Sequence, residues 1–299
     1  MNYVDKIREV SDLEFHQNHD LTGFTTMRLS SVGDLIEVRT VAALQKLLPI
    51  LKSHSKKYLV VGWGANQILP AQCDDLIIHL DFLFDQNDLS ELRDEYVLPA
   101  SIGLNHLTAL AVRFGLKGWD VFTGIPASLG GAIFMNAGTN LGEIGSLIKS
   151  VQLVTSDGIL RDEVINSRSF SYRHNHFVGP GEVIVGATLI HHGTDTAISQ
   201  KIKDYLEYRK KTQPLATKNC GCVFKNPYKE FQAGRLIDLM GLKGLSVGGL
   251  RVSPKHANFI ENSGNSNWDQ FESLVNIIKS NMDHFYGIEF ELEVKIPYH

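Results

Sequence analysis

The groups in this chain best placed to do chemistry include main-chain ones. The run GIPASLGGAIFMNAG (124–138) packs Gly124, Gly130, Gly131 and Gly138 around Ile125-Pro126 and Met135-Asn136. Glycine loses too much backbone entropy, and proline lacks the donor, for such a run to make a good helix or an ordinary strand. It suits a backbone that passes very close to something, with Ser128 and Asn136 adding side-chain hydrogen bonds beside free N–H groups. The candidates are a tight structural corner or a flat, anionic ligand such as a nucleotide cofactor. A second loop, in YLVVGWGANQIL (58–69), offers a nest of N–H groups from Gly62 through Gly64 and Ala65 to Asn66, suited to phosphate. It is not a dinucleotide fingerprint, because the third glycine is missing and no helical pattern follows.

Three further stretches carry reactive side chains. NCGCVFKNP (219–227) sets a thiol, an amine and an amide close together. SFSYRHNHF (169–177) is a dense aromatic and polar cluster, where Tyr172-Arg173 reads most simply as a surface strand with an extended arginine. IEFELEVKI (288–296) alternates as a strand does. It puts Glu289, Glu291 and Glu293 on one face, ordinarily a solvated one, and Phe290, Leu292 and Val294 on the other. Cys220 and Cys222 form a Cys-x-Cys pair, but no second pair or nearby histidine cluster completes a metal site, and none is expected.

The elements that must position these groups read as mixed α and β. FTTMRLSSVGDLIEV (24–38) suggests strands joined by a turn at Gly33-Asp34. VAALQKLLPILKSH (41–54) is a helix capped by Thr40 and kinked or shortened by Pro49. Strands are expected at 74–83, 95–103, 148–160 and 182–192, with an Asp157-Gly158 turn of type I′ character, and a helix at 104–116. The last third reads as a charged helix (196–214), a short strand (219–227), a helix (231–244), a strand (256–262), a long helix (267–287) and the terminal strand. The 299 residues suffice for several domains, which we delimit as 1–80, 81–195 and 196–299. A net charge of −4, with no basic stripe, disfavours nucleic acid as a partner. No apolar run approaches the ~18 residues of a membrane span, and the charged N-terminus lacks a signal-peptide core. Three cysteines, an odd and small number, fit a reducing compartment, hence the cytoplasm.

In this order the motifs resemble the UDP-N-acetylenolpyruvoylglucosamine reductase family. GWGANQIL is similar to that family's GxGSNxL, GIPASLGGAIFMNAG to GIPGTVGGAxxMNAG, and GCVFKNP to GSxFKNP. A Tyr-Arg motif, AGxLI…GLKG, VSxKHANFI and a terminal ExEV also match, so the likeness runs from about Thr25 to Lys295. The short spacing between Tyr-Arg and GCVFKNP resembles the subgroup without an extra substrate-covering insertion. The resemblance implies an α+β chain: a two-part FAD-binding unit of the vanillyl-alcohol-oxidase type, then a smaller substrate-binding α+β domain. It implies that NADPH reduces FAD and leaves, that UDP-N-acetylglucosamine enolpyruvate then takes the same site, and that UDP-N-acetylmuramate, a peptidoglycan precursor, is the product.

By the same resemblance, Gly62, Gly64, Ala65, Asn66, Gly124, Ile125, Pro126, Ser128, Gly130, Gly131, Asn136 and Gly138 would hold the cofactor. Tyr172, Lys225, Asn226 and His256 would touch substrate, and Arg173, Cys222 and Glu293 would be catalytic. The chain departs from the family pattern in four places. Cys222 stands for the serine proton donor, Ala65 for a loop serine, Ala127-Ser128 for Gly-Thr and Asn175 for a serine after Tyr-Arg. A thiol, with pKa ~8.5, is a better acid than a hydroxyl, so activity with an altered pH dependence is expected. An FAD oxidase acting on another small molecule would share the flavin loops but not GCVFKNP or Tyr-Arg. A non-catalytic binding relative would account for Cys222.

Overall fold

A computed structural model describes residues 3–228 and 231–297 and divides the chain into two compact units. The first comprises Met1–Gln17, Leu35–Trp63 and Asp75–Leu206, the second Asn18–Asp34, Gly64–Asp74 and Glu207–His299.

The chain opens with α1 (Tyr3–Arg8), β1 (Leu13–Asp20), β2 (Val32–Val38), α2 (Val41–Ser53), β3 (Tyr58–Val61) and β4 (Gln72–Leu80), whose strands form a sheet in the order β1-β2-β4-β3. Residues Leu59–Val61 and Ile77–His79 pair in parallel. Thr40 accepts a hydrogen bond from the Ala43 N–H at 3.2 Å and starts α2. Pro49 does not shorten that helix, which runs on to Ser53. The Gly33-Asp34 turn is not formed either. Gly33 lies inside β2, where a Cβ would come within 2.9 Å of the Cys73 carbonyl, so the glycine serves a close strand approach.

Next come β5 (Glu95–Pro99), α3 (Leu104–Phe114), α4 (Leu129–Phe134), β6 (Gly138–Thr139), β7 (Gly142–Glu143), β8 (Ile148–Val154), β9 (Leu160–Val164), β10 (Phe170–Ser171), β11 (His174–Asn175) and β12 (Val183–Ile190). The second sheet runs β5-β12-β8-β9, antiparallel throughout. Between β8 and β9 only Gly158 has a positive φ, and the Thr155 N–H reaches the Ile159 carbonyl. The turn is therefore not type I′, which needs both central residues left-handed. Trp119 is fully buried, stacked edge-on against Tyr96 and Phe122, and its indole N–H donates to the Ile190 carbonyl at 2.8 Å.

The remaining elements are α5 (Ile198–Thr212), α6 (Ala233–Leu239), β13 (Ser246–Val247), β14 (Leu250–Val252), β15 (Ile260–Asn262) and α7 (Trp268–Tyr286). α7 begins with a reciprocal Asn267–Gln270 capping box. Its apolar stripe of Phe271, Leu274, Val275, Ile278 and Met282 is buried in the core of the second unit. Residues 219–227 and 288–296 are not regular strands. They meet through one antiparallel bridge, Phe224 to Leu292, and residue 295 bridges in parallel to Gln67. The alternation still shows in burial: Phe290 and Val294 are buried, while Glu289 and Glu291 are exposed.

Candidate active site

In the first unit the glycine-rich run is not wholly irregular. Ser128 caps the short helix α4, its Oγ accepting from the Gly131 N–H at 3.4 Å. Gly130 fits there because a Cβ would stand 2.8 Å from the Ala100 methyl. The Leu129 and Gly130 N–H groups donate to the Ile102 and Ala100 carbonyls, and those of Ile125 and Ala127 to neighbouring carbonyls. The free N–H groups expected along this run are thus largely consumed by carbonyls in and beside it. Gly124 is left-handed, Ile125 half-buried, and Pro126 and Gly131 exposed.

Asn136 ties the run to its surroundings. It is buried, with φ +45°, a conformation asparagine tolerates better than most residues. Its amide donates to Glu143 at 2.8 Å and to the Ser171 carbonyl at 3.1 Å, and its Oδ1 accepts from the Gly145 N–H at 3.2 Å. Tyr172 and Arg173 form the tip of the β10–β11 hairpin, not a surface strand, with Arg173 at φ +55°. The Arg173 guanidinium donates to the Gly138 carbonyl at 3.0 Å and the Asn136 carbonyl at 3.4 Å, and Glu143 lies 3.9 Å away. Gly138 makes room, since a Cβ there would be 3.2 Å from Arg173 Nη1. The cation is aimed mainly by carbonyl dipoles, and stacks on its exposed neighbour Tyr172.

The second loop follows β3. At Gly62 a Cβ would lie 2.1 Å from Ser128 Oγ, so the two glycine-rich loops touch inside the first unit. Trp63, 40 % exposed, lies across Gly103. The N–H groups of Trp63, Gly64 and Ala65 donate to no acceptor among the described residues. In the second unit Gly64 (φ +60°) is held by Thr26, whose N–H reaches its carbonyl at 3.2 Å, and a Cβ would fall 2.0 Å from the Phe24 carbonyl. Asn66 donates its amide to the Glu293 carbonyl at 3.1 Å and takes the Lys295 N–H on its own carbonyl.

Cys222 and Glu293 come together in the second unit. The Glu293 N–H donates to the Val223 carbonyl at 2.8 Å, and both side chains are half-buried. Cys220 lies beneath them, fully buried. Its thiol is pushed up to about 12, first by burial and further by the nearby Cys222 and Glu293 charges. Lys225 pairs with Glu291 at 2.8 Å, holding that carboxyl below its ordinary range. Asn226 caps α6 by accepting the Ala233 N–H at 3.0 Å. His256 packs on Phe259, and its buried Nδ1 has no hydrogen-bond partner among the described residues. Burial, then the Lys243 charge, lowers its pKa and keeps it neutral.

Sequence reading missed Asn258, Thr26 and Glu143, which hold these groups. Asn258 sits inside the matched VSxKHANFI, which was the available signal, whereas Thr26 and Glu143 lie outside the matched motifs.

Residues 34–162 match the FAD binding domain family, and residues 213–297 match the family described as UDP-N-acetylenolpyruvoylglucosamine reductase, C-terminal domain. The chain is 33% identical over 282 residues to the UDP-N-acetylenolpyruvoylglucosamine reductase of Chlamydia pneumoniae, covering 93% of this chain and 90% of that one. It is 30% identical over 286 residues to the protein of the same name from Heliobacterium modesticaldum, covering 95% and 90%. The crystal structure of UDP-N-acetylenolpyruvylglucosamine reductase (MurB) from Thermus caldophilus superposes with a TM-score of 0.79 at 30% identity, over 95% of this chain and 98% of that one. With a match to the FAD binding domain family in its first part, a match to the reductase C-terminal domain in its last part and likeness along nearly its whole length, this chain belongs to the UDP-N-acetylenolpyruvoylglucosamine reductase family.

Proposed function

We propose that this protein is the FAD- and NADPH-dependent reductase that converts UDP-N-acetylglucosamine enolpyruvate to UDP-N-acetylmuramate for peptidoglycan synthesis in the cytoplasm. The observation that carries the reading is the end-to-end likeness to reductases of that name, spanning both the cofactor and the C-terminal parts. The residues present fit the cofactor. The Trp63–Ala65 turn offers three uncommitted N–H groups to a phosphate, and Trp63 an exposed ring. The 124–138 run contributes close-packed backbone, not donors.

When bound, FAD would supply the hydride-transfer chemistry between NADPH and the outer vinyl carbon of the substrate. Arg173, pre-aimed by the Gly138 and Asn136 carbonyls, offers its guanidinium to the substrate carboxylate as negative charge builds there. Cys222 delivers the proton to the inner carbon, so the double bond is reduced by one hydride and one proton. Glu293, half-buried and beside Cys220 and Cys222, assists by orienting a donor. Lys225, Asn226, His256 and Tyr172 contact the sugar nucleotide.

A spectral titration tests this. The purified protein is expected to be yellow, to bleach with NADPH in the absence of oxygen, and to regain its colour on adding the enolpyruvyl sugar nucleotide. A reduced protein that this compound does not reoxidise overturns the reductase reading. A colourless protein that only binds the sugar nucleotide makes it a binding relative.

A further inference from the structure

We infer that Asn258 is a positioning residue for the Cys222–Glu293 pair. The inference rests on the reductase reading for what that pair does, but the geometry stands without it. Asn258 is 3 % exposed. Its Oδ1 accepts the Phe224 N–H at 2.9 Å and its Nδ2 donates to the Phe224 carbonyl at 2.8 Å. Its main-chain carbonyl accepts the Val223 N–H at 2.9 Å.

On the opposite edge, the Val223 carbonyl accepts from Glu293 at 2.8 Å, and the Lys225 N–H donates to the Glu291 carbonyl at 2.9 Å. Residues 223–225 therefore have a strand-like partner on each side: the C-terminal segment on one, a single asparagine on the other. A carboxamide presents one donor and one acceptor side by side, as a peptide group does, so Asn258 stands in for a missing third strand. Phe224 is itself buried, so losing either bond leaves a buried backbone group unsatisfied. Cys222 precedes this clamped segment and Glu293 is hydrogen-bonded to it, so the separation of thiol and carboxyl follows the clamp.

The carboxamide is specific. Aspartate keeps the acceptor but turns the donor into a second acceptor facing the Phe224 carbonyl, unless that oxygen is protonated. The test uses the FAD-loaded full chain with Asn258→Ser and Asn258→Asp, and follows each half-reaction in a stopped-flow spectrometer. Bleaching by NADPH is expected to stay within about twofold of the parent. Reoxidation by the enolpyruvyl sugar nucleotide is expected to slow at least tenfold in both variants, and in Asn258→Asp to recover as pH falls.

A second readout needs no substrate. Cys73 and Cys220 are buried, so iodoacetamide reports Cys222, and its labelling rate is expected to change severalfold in both variants. Equal slowing of both half-reactions, or unchanged labelling with unchanged reoxidation, overturns the positioning role. If the variants fail to hold FAD, the labelling rate of Cys222 in Asn258→Ser against the parent, both without FAD and at one neutral pH, decides, and a rate equal to the parent's overturns it. A parent enzyme that the substrate cannot reoxidise defeats the reductase reading instead, leaving the labelling result to judge the clamp.

Discussion

Replacing Asn136 by alanine tests whether this residue serves the protein's own framework. The substitution deletes three hydrogen bonds, to Glu143, the Ser171 carbonyl and the Gly145 N–H. Each neutral bond contributes about 1 kcal/mol, and the one to Glu143 is held to a similar size because that carboxylate is 43 % exposed. Alanine at φ +45° adds roughly 1 kcal/mol of backbone strain that asparagine largely escapes. The sum is about 3–5 kcal/mol, which lowers the melting temperature by roughly 10 °C in a unit of this size. Asn136→Gly loses the same bonds but accepts the left-handed backbone, so it is expected to melt about 2–4 °C above Asn136→Ala. Differential scanning calorimetry of the three proteins reads both differences. An Asn136→Ala protein melting within about 2 °C of the parent, or an alanine variant more stable than the glycine one, refutes the reasoning.

Gly64→Ala puts a methyl group 2.0 Å from the Phe24 carbonyl in a left-handed conformation, so the turn must move, and the purified variant is expected to elute without its flavin absorbance. Cys222→Ala should slow turnover at least tenfold, on the scale of a lost general acid, and Cys222→Ser should move the alkaline limb of the pH–rate profile upward; turnover within about twofold for the alanine variant removes Cys222 as donor. His256 is neutral when folded, with a pKa below its unfolded value near 6.5, so the unfolded chain takes up the proton first. Its stability contribution is full above pH ~6.5 and declines as pH falls toward the folded pKa; denaturant midpoints of the parent and His256→Gln are expected to converge differently above and below that window, and parallel curves contradict the assignment.

The order of motifs, the amphipathic stripe of α7, the cap at Thr40 and the mixed α and β pattern were all legible in the chain, because each is read from residue types and their spacing along the sequence. The chemical types at 173, 222 and 293 were legible for the same reason. What they are held by was not. Arg173 is aimed by carbonyls 35 and 37 residues away, Asn66 reaches 227 residues to the Glu293 carbonyl, and Asn258 replaces a strand for Phe224 34 residues off. The short terminal run looked like a strand because its burial alternates, yet it lacks neighbours in register for more than single bridges. The glycine-rich run looked too flexible for a helix, yet Ser128 and the close approach of Ala100 stabilise one turn and a half of it. Local periodicity and residue chemistry are properties of the chain, whereas the pairing of distant backbone donors and acceptors exists only once the chain has closed on itself.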